Sequence, residues 1–589
     1  MVAVIKPEIG GASATNSTSV ADASPATERI KKFFEDKDWK FYAAVLAGVA
    51  VAGAGAYYLT SGSSSKKQKK PASKKSPEGS SAKGKETAEK TNSTATSAAD
   101  EWANMSAETI NGLSADVRAE AAAALKAKGN SFFSSKKYQD AIVNYTQAIL
   151  FKPDPIFYSN RAACYANLGK VDEVIADCNE ALKLDSTYIK ALNRRAQALE
   201  KKGKLSDSLY DFTCVCILDG FKNETAAKAM ERLLKKVSEQ KAKELVKTKK
   251  QRLPSPTFVS AYLDSFRQDN TPMNSAEGDS GDAYYNRARK ALREKKYDEA
   301  MEAFDKAVEL GCSQQAQALN MKGTFVFLKG DTQGAVENFN KALDIDSKHV
   351  QTFIKRASIY MEQGDIAATF KQFEDAIGIE PSNPDIYYHR GQVNYINGNY
   401  DAAAKDYSES IKLDESFVYA HIQLGVVQYK LGSISSAMAT FKNTLKKFEN
   451  SADVHNYYGE LLADQQKIEE ALDMFSKAIE IDAKNPLPYI NKAMLMYQVK
   501  GDVQQAMDLC KGALEADPSC DAAVASLAQI LLEQGQPAEA VRYYEMAIDL
   551  ARTEAELEHA ISYVEATKTQ IRFAQEYPSA VPKLNALRG

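Results

Sequence analysis

One spelling recurs along this chain about every 34 residues, and it limits the fold more than any other feature. A small residue is followed twelve places on by a second, four later by an aromatic, and three later by another small residue. Gly129, Ala141, Tyr145 and Ala148 are one instance; Ala288, Ala300, Phe304, Ala307 and Gly459, Ala471, Phe475, Ala478 are others. Such spacings suit antiparallel helix pairs: the small residues let the two backbones approach, and the aromatic fills the gap toward the next pair. Units begin near residues 122, 155, 189, 281, 316, 350, 384, 418, 452, 487 and 521, three before a long interruption and eight after it. Gly203, Gly330, Gly364, Gly398, Gly432, Gly501 and Gly535 mark a turn at one place in most units, which chance matching in a generic helical chain does not explain. Stacked helix pairs build an extended concave surface, so binding rather than catalysis is the first expectation.

Period and spelling together resemble the tetratricopeptide repeat (TPR). The expected fold class is therefore all-α: a TPR solenoid of about eleven helix-pair repeats, wound as a right-handed superhelix in two blocks. With 26 % charged and 9 % aromatic residues in 589, the composition is that of a globular chain, and a net charge of -3 gives no reason to expect nucleic acid. Cys164, Cys178, Cys214, Cys216, Cys312, Cys510 and Cys520 lack zinc spacing and read as reduced core residues of a cytosol-facing chain. His349, His389, His421, His455 and His559 lie far apart with no partner motif. No phosphate loop, nucleophile elbow or metal motif is present, so neither an enzyme nor a cofactor is expected.

Residues 41–59 are an uncharged run, FYAAVLAGVAVAGAGAYYL, bracketed by Trp39, Phe41 and Tyr42 and by Tyr57 and Tyr58. At ~1.5 Å per residue it spans roughly 28 Å, about one bilayer core. The prediction is one transmembrane anchor at 39–60, preceded by an N-terminal segment, 1–38. Lys66, Lys67, Lys69, Lys70, Lys74 and Lys75 follow with no acid among them, whereas the upstream charges nearly cancel. The positive-inside tendency then leaves the C-terminal part in the cytosol. Moderate hydrophobicity with a basic C-terminal flank suits a mitochondrial outer-membrane signal anchor. Ala44, Gly48, Ala52 and Ala56 stripe one face of the span, open either to helix association or to accident of an Ala-rich helix. Residues 61–114 read as a polar, basic tether, disordered over its Ser- and Lys-rich part.

The first three units, 115–222, carry the chemistry. They spell LKAKGN (125–130), YSNRA (158–162) and YIKALNRRA (188–196). The inward residues of their first helices are Lys126 and Asn130, then Asn160, then Lys190 and Arg194. Lys126 and Asn130 are four apart, as are Lys190 and Arg194, so each pair shares one helix face. Three cations and two amides with no carboxylate among them form an anion site able to hold two carboxylates.

These residues resemble the carboxylate clamp of chaperone-binding TPR domains, which grips the C-terminal Glu-Glu-Val-Asp of the seventy- and ninety-kilodalton heat-shock chaperones. The resemblance implies that Lys126, Asn130 and Asn160 hold the terminal carboxylate, with Lys190 and Arg194 on further carboxylate oxygens. The whole order (anchor, basic tether, three clamp repeats, charged spacer 223–280, eight repeats and a capping helix over 281–589) resembles the large TPR import receptor of the mitochondrial outer membrane. Local spelling such as KGNSFFSSKKYQDAIVNYTQAI resembles a fungal member. That resemblance implies binding of precursor proteins with internal targeting signals, notably inner-membrane carriers, and transfer to the pore alongside other translocase subunits.

It also implies a precursor groove in the large block. Its inward positions are read as Phe327, Ile354, Met361, Tyr388, Tyr395, Tyr419, Ile422, Val426, Tyr429 and Leu495, an apolar wall for an amphipathic peptide or else solenoid core. Within the spacer, 224–250 reads as a helix, 258–266 as a short apolar-faced helix, and 267–281 as loose. The alternative function is a membrane-tethered co-chaperone or scaffold with no precursor groove of its own.

Overall fold

The period sets the architecture directly. The computed structural model describes residues 102–267 and 278–582, and among them the chain is helical with no strand. The expected N-terminal segment, the anchor at 39–60 and the Ser- and Lys-rich tether lie outside the described residues. No helix among the described residues is long and apolar enough to cross a membrane.

A short helix, α1 (Ala107–Asn111), precedes three pairs: α2 and α3 (Ala115–Ser134, Tyr138–Phe151), α4 and α5 (Pro155–Asn167, Val171–Leu184), and α6 and α7 (Ile189–Lys201, Leu205–Asp219). The interruption holds α8 (Glu224–Thr248) and α9 (Pro256–Asp264). Eight pairs follow. They comprise α10 and α11 (Gly281–Arg293, Tyr297–Leu310), α12 and α13 (Gln315–Leu328, Thr332–Ile345), α14 and α15 (Val350–Glu362, Ile366–Ile379), and α16 and α17 (Pro384–Ile396, Tyr400–Leu413). Next come α18 and α19 (Val418–Lys430, Ile434–Lys447), α20 and α21 (Ala452–Asp464, Ile468–Ile481), α22 and α23 (Pro486–Leu495, Val503–Ala516), and α24 and α25 (Asp521–Glu533, Pro537–Leu550). A long last helix, α26 (Glu554–Glu576), ends the array.

Each unit is built the same way. A Cβ placed on Gly129 would lie 2.7 Å from Tyr145 Cε1, and one on Gly425 2.6 Å from Phe441 Cε2. The aromatic of the second helix thus lies over the small residue of its own first helix and also reaches the next pair: Phe441 stacks on Tyr458 at 5.8 Å, and Phe304 lies 6.3 Å from Phe325. Between the two helices one residue has positive φ in all eleven units; it is glycine in eight and Lys136, Lys295 or Gln466 in three. Side-chain caps on Asp154, Ser280, Asp331, Asp365, Ser451 and Asn485 satisfy first-turn amides.

The described chain divides into two compact units, one running to residue 241 and resuming at 562, the other running from 242 to 561. Both divisions fall inside a helix, α8 and α26, so the units are cut differently from the expected blocks 115–222 and 281–589. In the first unit Phe573 and Tyr577 join the core of the third pair beside Tyr210 and Phe212. The Arg572 guanidinium lies 3.7 Å from the centre of the Tyr210 ring. In the second unit Leu557 and Ile561 pack with Ala242, Leu245 and Ile548. The last helix therefore caps the final pair over only part of its length. A second correction concerns the tether, whose expected end at 114 is too late. Trp102, Met105, Ile110 and Leu113 pack on Ala121, Ala122 and Phe151, because this stretch carries apolar residues that the Ser- and Lys-rich part lacks.

Candidate peptide-binding site

In the three-repeat unit, α2, α4 and α6 join two of the five expected clamp residues, Asn130 and Asn160, by a hydrogen bond and tie a third, Arg194, to Ser159 beside Asn160. Tyr145 Oη donates to Asn130 Oδ1 at 2.7 Å, and Asn160 Nδ2 donates to the same oxygen at 3.3 Å. Burial pushes the Tyr145 phenol up to about 12, so it stays a donor at neutral pH. With Oδ1 doubly occupied, Asn130 keeps Nδ2 for an incoming acceptor. Arg194 Nη1 donates to the Ser159 carbonyl at 2.7 Å and to the Ser159 hydroxyl, which fixes the guanidinium beside Asn160. Lys126 is half-buried one turn before Asn130, and Lys190 is exposed one turn before Arg194. Among the described residues no carboxylate pairs with Lys126, Lys190 or Arg194.

The adjacent arginines behave differently. Arg195 pairs with Asp211 at 2.7 Å, Arg161 with Asp177 at 2.6 Å and, in the other unit, Arg390 with Asp406 at 2.5 Å, every acid being buried. Each pair joins the first and second helices of one repeat at a separation of sixteen residues. An arginine followed sixteen places on by an acid was visible in the sequence and had not been read as a signal. Tyr145 and Ser159, which orient the clamp side chains, were likewise missed.

The ten expected groove residues of the larger unit are mostly not surface. Phe327, Ile354, Tyr388, Tyr395, Ile422, Val426 and Leu495 are 3 % exposed or less. Met361, Tyr419 and Tyr429 are half-buried; Tyr419 Oη donates to Asp453 Oδ2 at 3.1 Å, and Tyr429 Oη accepts from Gln465 Nε2 at 3.0 Å. Tyr388 meets Phe417 edge-on at 5.0 Å, and Tyr395 meets Tyr400 at 5.4 Å. The reason is packing between successive repeats, together with a segment of the interruption. Val259, Tyr262 and Phe266, on and just after α9, join one buried cluster with Phe325, Phe327, Ile354 and Ile386. The short helix expected at 258–266 is thus present, starting at Pro256, and Arg267, expected to be loose, is held by Asp385 and Asp414.

Comparison with known proteins follows this geometry. TPR models, described as TPR repeat or tetratricopeptide repeat, match residues 155–188, 274–315, 285–349, 357–398, 394–432, 422–486 and 499–561. The human mitochondrial import receptor subunit TOM70 is 30 % identical over 495 residues, covering 79 % of this chain and 81 % of the relative. The chain belongs to the TOM70 family of mitochondrial import receptor subunits. The crystal structure of yeast Tom70 matches with a TM-score of 0.51 and 32 % identity, over 79 % of this chain and 98 % of that one. A shorter stretch of 69 residues, 12 % of this chain and 12 % of the relative, is 48 % identical to Hsp70-Hsp90 organizing protein 2 of Arabidopsis thaliana. As a TOM70-family member the protein is a TPR receptor of mitochondrial import.

Proposed function

We propose that the receptor docks chaperones on the smaller unit and takes precursor proteins on the larger one. Lys126, Asn130, Asn160, Lys190 and Arg194 grip the C-terminal carboxylates of seventy- and ninety-kilodalton heat-shock chaperones. The observation that carries this reading is the Asn130–Asn160 bond beside the Arg194–Ser159 bond, with no acid among the described residues paired to Arg194. The likeness of a short stretch to a protein named for organising those two chaperones supports it. The eight-repeat unit receives precursors with internal signals, notably inner-membrane carriers, and passes them to the translocation pore. Residues 39–60 anchor the chain once in the outer membrane, with residues 1–38 in the intermembrane space and the repeats in the cytosol; the basic flank after the span supports this orientation.

A titration of the full chain with a fluorescent peptide ending in Glu-Glu-Val-Asp tests the docking site. Arg194→Ala or Lys126→Ala lowers affinity by about 10- to 100-fold, each charge-assisted hydrogen bond being worth roughly 1.5–3 kcal/mol. Circular dichroism stays unchanged. Equal affinity in both variants defeats the assignment. Localisation of the full chain beside one lacking residues 1–60 tests the anchor.

A second reading, a tethered scaffold with no precursor site, is favoured by one observation: the expected groove wall is buried. Failure of the full chain to bind any carrier-derived peptide decides for it.

A further inference from the structure

In the eight-repeat unit, residues 256–267 lie along the first helices of three successive repeats. Tyr262 faces Phe327 on α12 with ring centres 6.3 Å apart, and Phe266 stacks on His389 of α16 at 4.3 Å. Lys355 of α14 holds its ammonium 4.9 Å from the centre of the Phe266 ring. The segment ends on charge. Arg267 donates through Nε to Asp414 at 2.8 Å, pairs through Nη1 with Asp385, and its guanidinium lies 4.5 Å from the centre of the Phe417 ring. Gln351 Nε2 donates to the Arg267 carbonyl, and the Thr257 amide donates to Asp517. Val259, Tyr262 and Phe266 are spaced i, i+3 and i+7, the pattern of an amphipathic helix laid into a groove.

The seal is imperfect. Tyr262 Oη and Arg267 Nη2 are buried without a hydrogen-bond partner among the described residues. An unsatisfied buried polar atom weakens a contact that apolar burial otherwise favours. A covalently attached segment that meets these first helices with peptide-like contacts, and leaves two buried polar atoms unpaired, is suited to exchange.

We infer that residues 256–267 are a built-in occupant of the precursor site, and that a precursor binds by replacing them. The inference rests on the proposed receipt of precursors by this unit and goes further, naming the ligand class: a short amphipathic helix with aromatic anchors at i, i+3 or i+4 and i+7 or i+8, followed by a cation. Phe258, Tyr262 and Phe266 supply that pattern here, and Arg267 supplies the cation for the Asp385–Asp414 pair. While the segment is seated, the apparent affinity for precursor is reduced by the fraction of chains whose site is open.

The test uses the full chain and a fluorescein-labelled peptide from an internal segment of an inner-membrane carrier. The doubly substituted Tyr262→Ala, Phe266→Ala chain and, separately, Arg267→Ala bind at least tenfold more tightly than the unaltered chain. In the unaltered chain, saturating peptide abolishes hydrogen-exchange protection of amides 258–266. Arg267→Ala leaves the buried apolar cluster intact, so it reports even where the double variant unfolds. Binding by the unaltered chain, with neither tightening in Arg267→Ala nor loss of protection, makes the segment a fixed strut and overturns the inference alone. Absence of peptide binding in every chain overturns the precursor site and this inference together.

Discussion

The inner faces of the two units are built from the same repeat and end in opposite chemistry. In the three-repeat unit, among the described residues no acid pairs with Lys126, Lys190 or Arg194, the cations of the proposed clamp. In the eight-repeat unit the corresponding helices carry Phe327, Ile354 and His389, and the chain's own residues 256–267 cover them. A cationic face can stand open, because water solvates lysine and arginine. An apolar face in water attracts whatever apolar segment is nearest, here a neighbouring stretch of the same chain. Even the acids are used differently: Asp177 and Asp211 neutralise arginines within a repeat, whereas Asp385 and Asp414 hold a cation from outside the repeats.

The most severe break comes from the shared repeat core. Phe339→Ala removes an aromatic that is 0 % exposed and lies over Gly323, and it destabilises the eight-repeat unit by about 3–5 kcal/mol. Chemical denaturation followed by hydrogen exchange locates the loss in residues 281–550. Affinity of this variant for a Glu-Glu-Val-Asp peptide stays within twofold at denaturant-free conditions.

Asn130→Ala acts on both stability and binding. It orphans the Tyr145 hydroxyl, costing about 1–3 kcal/mol, and it removes a clamp donor. Tyr145→Phe restores part of the stability on that background but none of the peptide affinity, which a double-mutant cycle reads directly.

Salt separates the two faces. Raising ionic strength from about 0.05 M to about 0.5 M weakens chaperone-peptide binding several-fold, since exposed charges are screened. Carrier-peptide binding changes less, because its contacts are mainly apolar. Equal salt dependence by fluorescence anisotropy contradicts the contrast between the faces.

Lys355 gives a pH signature. It is 1 % exposed, and burial depresses its ammonium to about 7 even though Asp385 opposes the shift. Its Nζ donates to Asn320 at 2.8 Å and Thr324 at 2.9 Å. The unfolded lysine titrates near 10.5. Between about 7 and 10.5 the unfolded chain therefore binds more protons, and stability of the eight-repeat unit rises with pH across that window. Lys355→Met flattens the rise in urea titrations at pH 7 and pH 9.

The smallest effect lies in the turns. Lys136, Lys295 and Gln466 have φ of 60°, 57° and 60°, where eight other repeats place glycine. A left-handed non-glycine residue costs roughly 1–2 kcal/mol, partly offset by the entropy glycine loses on folding. Lys295→Gly or Gln466→Gly therefore stabilises by about 0.5–1 kcal/mol, measured as a shift in thermal midpoint.

Most of the repeat architecture was legible because a solenoid repeats its local physics. The small residue, the aromatic sixteen places on and the positive-φ turn have to recur wherever two helices pack in this way, as Gly129 and Tyr145 or Gly425 and Phe441 do. The expected clamp residues could be named because a repeat fixes which places of a first helix are equivalent, whereas the pairing of Arg161 and Arg195 with their acids became plain only in the structure. The groove wall was not. Tyr388 and Leu495 look like surface from helical spacing, but spacing along one helix says nothing about what a distant element lays over it.

Sequence alone determined the number of helix pairs and their register, because each depends on contacts between residues a few tens of positions apart or fewer. Only the tertiary structure decided where Phe266 and Arg267 come to rest, opposite His389, Asp385 and Asp414 more than a hundred residues later. It also divided α8 and α26 between two compact units. Long-range apolar burial is non-directional, so its partners are selected by the assembled surface and carry no periodic signal in the chain.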